Sequence, residues 1–402
     1  MNNKLIASFL VFSASAFLAG CTANNKSISL NGPENNAVIN IENANEKAYI
    51  DAMHTQEEKI PANLRYAVND LGGDQIKIKD YYQPYTGGKG INVELGFNAR
   101  GFNDNEAYCY HISENPDFSD ERKIISFDNN LSVHSLKSHQ KYYWKVSDVD
   151  EKIFSSTKTF TTSYGWRFLN AGYITNNIRD LGGHKVKGNK IIKQGYIYRG
   201  CELNIEDYDE SGGHHTKNID EGAIYTFKNI IKIGTEIDLR GVAESNGITS
   251  SNMGWSVAYH RQSIGGYGAL VKDTSQNKKI KAIFEDFLAA SEDSSVYFHC
   301  WGGADRTGSI AFLLGASLGM SYTDLIIDYE LTSFSYNLRE HDNLGEHSDF
   351  PSLITGLKEV TNMDEENPDL QTMVNKYLVD NVGLTADQIN ELQNKMLEEY
   401  HE

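Results

Sequence analysis

Between residues 299 and 308 the chain reads His299-Cys300-Trp301-Gly302-Gly303-Ala304-Asp305-Arg306-Thr307-Gly308. A thiol, two adjacent glycines and an arginine so close together suit chemistry on a tetrahedral oxyanion. An apolar strand-like run, Ser295 to His299, precedes the stretch, and an apolar helical run, SIAFLLGASLG, follows it. That order puts the loop at a helix N-terminus, where unpaired backbone N–H groups and the helix dipole favour an anion. Gly302 and Gly303 let the backbone approach closely and adopt positive φ, so that successive N–H groups converge on one oxyanion. Trp301, Gly302, Gly303, Ala304 and Thr307 are therefore the expected anion-binding set. Cys300, at the edge of this positive nest, is the expected nucleophile as its thiolate. Arg306 can fold back to offer a bidentate fork, and Thr307 can donate its hydroxyl to the Cys300 sulfur when that sulfur leaves.

The elements that must hold this loop follow from the pattern around it. From about residue 165, strand-like runs (GYIYRG, TEIDLR, SSVYFHC) alternate with stretches of helical period, which predicts an α/β layer structure with a largely parallel sheet flanked by helices. In SQNKKIKAIFEDFLAASED the residues Ile280, Ile283, Phe284, Phe287 and Leu288 share one helix face. The chain of 402 residues is long enough for two or three domains. Its 37 Lys and Arg against 55 Asp and Glu give a net charge of −18, which argues against nucleic acid as a partner. A phosphate site must then make its own local positive field.

The loop looks like the signature of the cysteine-dependent phosphatase superfamily: His-Cys, five residues, Arg, Thr. Much of the rest resembles one bacterial branch of it, tyrosine and lipid phosphatases with an HCxxGKDRTG loop. The matching strings are NIRDLGG at 177–183, IYRG at 197–200, IDLRGVAE at 237–244, IIDYELTSFS after the loop, and KYLVDNVGLTADQINELQNKML near the end, spanning roughly 168–398. The resemblance implies a cysteine-phosphatase fold over 165–402 and a two-step reaction without cofactor or metal. Cys300 attacks phosphorus, and water then hydrolyses the cysteinyl phosphate, with backbone donors and Arg306 stabilising the equatorial oxygens. Two carboxyls are candidates for the general acid. Asp305 lies in the loop, as in this branch. Asp238 ends the TEIDLR strand, on the sheet edge shared with Cys300, and its alternative is a structural partner of Arg240 or Arg179. His299 is expected to tune Cys300 from behind, and Arg179, Arg199 and Arg240 divide between support of the phosphate site and ordinary ion pairing. Where the branch usually has Lys, this chain has Ala304, which favours a singly charged site such as phosphotyrosine over polyphosphorylated inositol lipids.

The N-terminal 164 residues carry no comparable chemistry. Residues 1–20 read as a signal peptide, and Leu18-Ala19-Gly20-Cys21 resembles a bacterial lipoprotein signal, implying acylation of Cys21 and a membrane anchor. Residues 21–59, rich in Asn and poor in large apolar side chains, read as a flexible tether. Short alternating runs over 60–164 predict an all-β sandwich, and YCYHISENPDF with LKSHQKYYWKVSD and KTFTT resembles fibronectin type III modules. Trp144 and Tyr143 are expected as packing residues, and Cys109 as a buried small hydrophobe. A disulfide from Cys201 to Cys109 or to Cys300 is the alternative for these thiols. His214 and His215, without a third ligand at fixed spacing, read as a solvated loop rather than a metal site. The expected protein is a lipid-anchored envelope enzyme, facing the periplasm or the outside, that acts on phosphotyrosine in a protein or on a small phosphomonoester. The rival readings are an inositol phosphate or phosphoinositide phosphatase, and a catalytically weak phosphoprotein-binding module.

Overall fold

The computed structural model describes residues 26–68, 76, 78–81, 90–171, 177–208, 214–335 and 350–401. The expected signal peptide and the lipidation site Cys21 lie outside the described residues. Strands β1 (Ser27–Gly32), β2 (Ala37–Ile39), β3 (Val93–Arg100), β4 (Tyr108–Ser113), β5 (Arg122–Ser126), β6 (Asn130–Val133), β7 (Lys141–Asp148) and β8 (Lys158–Thr162) form two sheets. Their orders are β1-β3-β6 and β2-β8-β7-β4-β5. Period-two alternation turns Val93, Leu95 and Phe97 of β3, Tyr108, Tyr110 and Ile112 of β4, and Tyr142, Trp144 and Val146 of β7 into one shared core.

Within the expected tether, the described residues 26–59 fold into regular elements. From Ser27 onward β1 pairs antiparallel with β3, and β2 pairs in parallel with β8. Helix α1 (Ala44–Glu57) starts from a capping box in which Asn43 and Glu46 satisfy each other's backbone N–H groups. Glu46, Tyr49, Ile50 and Met53 form its buried face, and the last three join the core that also holds the loop-bearing region. The segment has few large apolar residues, but they fall at helical spacing, which decides burial more than average composition does.

The C-terminal region is built on a five-stranded sheet, in the order β16-β15-β17-β12-β9. Its members are β9 (Arg179–Asp180), β12 (Ile197–Gly200), β15 (Ile233–Asp238), β16 (Ala258–Arg261) and β17 (Ser295–His299). All neighbours are parallel except β9, an antiparallel edge. Smaller sheets are made by β10 (Lys185–Val186), β11 (Lys190–Ile192) and β18 (Leu397–Glu399), and by the hairpin β13 (Asn204–Tyr208) and β14 (His214–Asn218). His214 and His215 therefore open a strand rather than a loop. Helices α2 (Glu221–Tyr225), α3 (Tyr267–Lys272), α4 (Asn277–Ala289), α5 (Asp305–Leu318), α6 (Tyr322–Glu330), α7 (Phe350–Thr361), α8 (Leu370–Tyr377) and α9 (Ala386–Met396) complete the region. One core cluster contains Ile237, Val296 and Phe298 with α4 and α5, and a second contains Tyr198 and Tyr297 with Phe227 and Met253. Alternate residues of the strands thus serve opposite faces of one covered sheet, as parallel strands require.

Besides the apolar packing of α1, the two regions meet through polar contacts. Arg167 donates to the Ser135 carbonyl (2.7 Å) and the Leu136 carbonyl (3.1 Å) on one side and to Asp180 (2.6 Å) on the other. Gln194 exchanges side-chain hydrogen bonds with the backbone of Ser138 (2.7 and 2.8 Å).

Candidate active site

The central strand β17 ends at His299, and the next five residues, 300–304, turn into α5. Gly303 has φ +70°, and a Cβ there would lie 2.4 Å from the Gly200 carbonyl oxygen, so both its conformation and its space require glycine. Three successive loop carbonyls are held by donors. The Glu202 N–H reaches the Trp301 oxygen (2.9 Å), Asn177 Nδ2 reaches those of Gly302 (3.0 Å) and Gly303 (3.2 Å), and Arg199 also binds the Gly303 oxygen. Across a planar trans peptide the N–H points opposite to the C=O. Fixing the carbonyls of 301–303 therefore turns the N–H groups of Gly302, Gly303 and Ala304 the other way. No side chain caps α5 at Ala304, and the first helical bond is from Gly308 N–H to the Ala304 oxygen (2.6 Å). The result is a run of N–H groups at the N-terminus of a 14-residue helix, an arrangement that can serve as an oxyanion nest.

Cys300 is 2% exposed and Trp301, beside it, 51%. Arg306, in the first turn of α5, makes a bidentate ion pair with Glu244, NH1 to Oε2 being 2.6 Å. Both partners keep solvent contact, with side chains 21% and 38% exposed. The Glu244 carboxylate holds the Arg306 guanidinium more firmly protonated than usual. Thr307 is fully buried, and its hydroxyl has no hydrogen-bond partner among the described residues, so the expected bond to the Cys300 sulfur is not made.

Behind the loop lies a buried ionic cluster. Asp328 of α6 accepts from Arg179 (Nε, 2.7 Å) and from Arg199, and Arg179 also binds Asn177. Burial and the neighbouring Arg199 lower the Arg179 guanidinium to about 10, while the two arginines outweigh burial to depress the Asp328 carboxyl. Asn177 and Arg199 thus grip the loop through its carbonyls, and Arg179 and Asp328 hold those two in place. His299 is fully buried, with Nδ1 3.0 Å from the Cys300 oxygen and Nε2 2.9 Å from Glu236. Burial would lower its pKa, but Asp238 and Glu236 outweigh burial and raise it. Both ring nitrogens face acceptors, which matches a protonated ring.

The two acid candidates are placed differently. Asp305 is half-buried at the start of α5, with Oδ1 accepting from Tyr267 OH at 2.5 Å. Asp238 is fully buried and accepts from Arg240 N (2.9 Å), Nε (2.9 Å) and NH2 (2.8 Å) and from Tyr259 OH (2.8 Å). Burial would raise its carboxyl, but His299 and Arg240 outweigh burial and hold it at about 2. So saturated an anion is a poor proton donor, and of the two expectations for Asp238 the pairing with Arg240 is the one the geometry displays, Arg240 also pairing with Glu202.

Cys109, Cys201 and Cys300 are all free thiols, so neither expected disulfide is formed. Cys109, His111 and Glu151 bring three metal-capable atoms within 4.8 Å of one another, in the two-sheet N-terminal region. Their present partners are protein groups: His111 bonds Glu121 (2.7 Å) and Ser147 (2.9 Å), and Glu151 bonds Lys123 (2.6 Å). Sequence reasoning assigned no role to Asn177, Glu244 or Asp328, although each stands in a quoted string. Tyr267, outside every such string, was missed.

No curated protein matches the chain. A family model described as the tyrosine phosphatase family matches residues 174–398, more than half of the chain. That segment contains the Cys300 loop, the arginines behind it and Tyr267. The chain belongs to the tyrosine phosphatase family.

Proposed function

We propose that this protein hydrolyses phosphomonoesters through a cysteinyl phosphate on Cys300, with phosphotyrosine as its preferred substrate. The observation that carries the reading is the backward grip on the Trp301, Gly302 and Gly303 carbonyls, which leaves the opposite N–H groups for three phosphate oxygens. Arg306 exchanges the Glu244 carboxylate for the phosphoryl group, an anion of similar fork geometry. Cys300 attacks in line, and the electron pair of the P–O bond goes to the leaving oxygen, which takes a proton from Asp305. Water then attacks the cysteinyl phosphate, giving its proton to Asp305 while the sulfur leaves as thiolate. Thr307, whose buried hydroxyl has no partner among the described residues, would turn to donate to that sulfur.

Charge supports one phosphate rather than several. Arg179 and Arg199 are committed to Asp328, and Arg240 to Asp238 and Glu202, which leaves the substrate end of the loop to Arg306. Trp301, exposed beside the nucleophile, offers a face for an aryl ester. The test is hydrolysis of phosphotyrosine peptides, phosphoserine peptides and inositol phosphates, with Cys300→Ser as the control and EDTA present throughout. The reading requires phosphotyrosine to be the best substrate and Cys300→Ser to be inactive. A preference for inositol phosphates would move the protein to its rival reading, and binding without turnover would make it a recognition module.

The same proposal places the enzyme at a membrane face in the cell envelope, tethered through acylated Cys21, with a fibronectin type III-like module next to the anchor. Its support is the Leu18-Ala19-Gly20-Cys21 string after an apolar run and the two-sheet β region that follows. Among the described residues no helix is long and apolar enough to cross a membrane. Metabolic labelling with a palmitate analogue that is lost in Cys21→Ala tests the anchor.

A further inference from the structure

Tyr267 carries a feature that packing does not require. It is a bulky residue at φ +56°, in the left-handed region that such side chains seldom occupy, directly after Gly265 and Gly266. Strained backbone of this kind persists where the surroundings enforce it, and it clusters at functional sites. Gly268, next in the chain, is held against α7 by its N–H to Ser352 Oγ (3.1 Å), while the contacts of Tyr267 itself run toward the start of α5 and to α6. The Tyr267 N–H donates to Ser309 Oγ (2.8 Å), and that hydroxyl donates to the Asp305 carbonyl oxygen (2.8 Å). A Cβ on Gly266 would touch the Asp305 carbonyl carbon at 3.4 Å, so glycine brings this backbone against the start of α5. The strained turn delivers the phenol to Asp305, with OH to Oδ1 at 2.5 Å, while Tyr329 of α6 lies 2.9 Å from the same Tyr267 oxygen.

We propose that Tyr267 is the positioning residue of the general acid, fixing the Asp305 carboxyl and stabilising it as a carboxylate once its proton has gone to the leaving group. This deepens the proposed function and rests on Asp305 being the acid. The single phenolic proton of Tyr267 points to Asp305 Oδ1, so Tyr329 is the donor to Tyr267. In the first step the proton on Oδ2 passes to the ester oxygen. The negative charge left behind is met by the Tyr267 O–H, itself polarised by Tyr329. In the second step the attacking water returns a proton to Oδ2. Burial, Tyr329 and Asp305 push the Tyr267 phenol far up, so it stays a donor throughout. Among the described residues the groups facing Asp305 include Tyr267 from α3, Arg306 from α5, Ser309 from α5 at its backbone carbonyl and, through Tyr267, Tyr329 from α6.

The experiment compares wild type, Tyr267→Phe, Tyr329→Phe and Asp305→Asn on p-nitrophenyl phosphate and phenyl phosphate across pH. Tyr267→Phe keeps the ring and loses only the donor. Its kcat/KM should fall about tenfold on phenyl phosphate, the poorer leaving group, and by less than about threefold on p-nitrophenyl phosphate. The alkaline limb of its profile should move to higher pH, because a carboxylate that loses a donor holds its proton more tightly. Tyr329→Phe should shift both readouts the same way by less. If Asp305→Asn shows the leaving-group effect and Tyr267→Phe does not, the inference on Tyr267 is overturned and the acid assignment survives. If Asp305→Asn shows no leaving-group effect, the acid assignment falls and takes this inference with it. An equal loss on both substrates with an unmoved pH profile would make Tyr267 merely structural.

Discussion

Arginine occupies both sides of the phosphate loop, and the two sides use it differently. In front, Arg306 pairs with Glu244, and both keep contact with solvent. Behind, Arg179 and Arg199 share Asp328, all three with side chains at most 6% exposed. A half-exposed pair can be exchanged for a phosphoryl group at small cost, since such pairs contribute at most about 1 kcal/mol. A fully desolvated cluster cannot open without leaving a bare buried charge. Residue type alone does not separate a substrate ligand from a scaffold; burial of the partner carboxylate does.

The comparison can be broken most severely at Asp328. Asp328→Asn leaves two buried guanidinium groups without their anion and should cost about 3–5 kcal/mol of unfolding free energy, read by urea denaturation. Activity would then fall with the fold. Arg306→Ala should do the opposite, lowering kcat about 10²- to 10³-fold while the urea midpoint stays near wild type. Equal destabilisation by the two variants would erase the distinction.

Asp238 sharpens it further. Its carboxyl lies near 2 instead of the ordinary 3.8, so the folded state binds this proton less readily than the unfolded chain does. The resulting stabilisation, about 2 kcal/mol, is fully present above pH 3.8 and is lost as pH falls through about 2. Asp238→Asn should therefore be less stable at neutral pH by roughly that amount and show a flatter stability profile in acid, without the leaving-group dependence expected of Asp305→Asn. The smallest effect belongs to Glu244→Gln. It frees Arg306 from a charged partner and should change kcat/KM by less than about tenfold with little loss of stability, measured by steady-state kinetics and thermal melting.

What could be read in the sequence was what is contiguous in it. The proposed nucleophile, the glycines and the arginine proposed to bind phosphate fall within residues 300–306, and the strand and helix around them carry strong periodic patterns. The ladder of β15, β17 and β12 followed from apolar runs for the same reason. The rest depends on contacts between distant parts of the chain. Asn177 stands 125 residues before the carbonyl of Gly302 that it holds, and Tyr267 stands 38 before Asp305. No local pattern encodes either meeting. Asp238 and Asp305 were equal as residue types at the same sheet edge, and only burial beside Arg240 and Tyr259 separates them. Over residues 26–59 average composition suggests a tether, but spacing decides the structure. Tyr49, Ile50 and Met53 of α1 are few, but they sit on one helix face and enter the core of the catalytic region. Glu46, on the same face, is wholly buried and its charge acts on Arg179, so α1 contributes to the environment behind the loop.

The claim on which the account turns is that the phosphoryl group passes through the Cys300 sulfur. Rapid acid quench of Asp305→Asn during turnover of an aryl phosphate, followed by peptide mass spectrometry, reads this directly. The account predicts one phosphoryl group on the peptide containing Cys300, absent from Cys300→Ser. A phosphoryl group on another residue, or turnover that persists in Cys300→Ser, would contradict it.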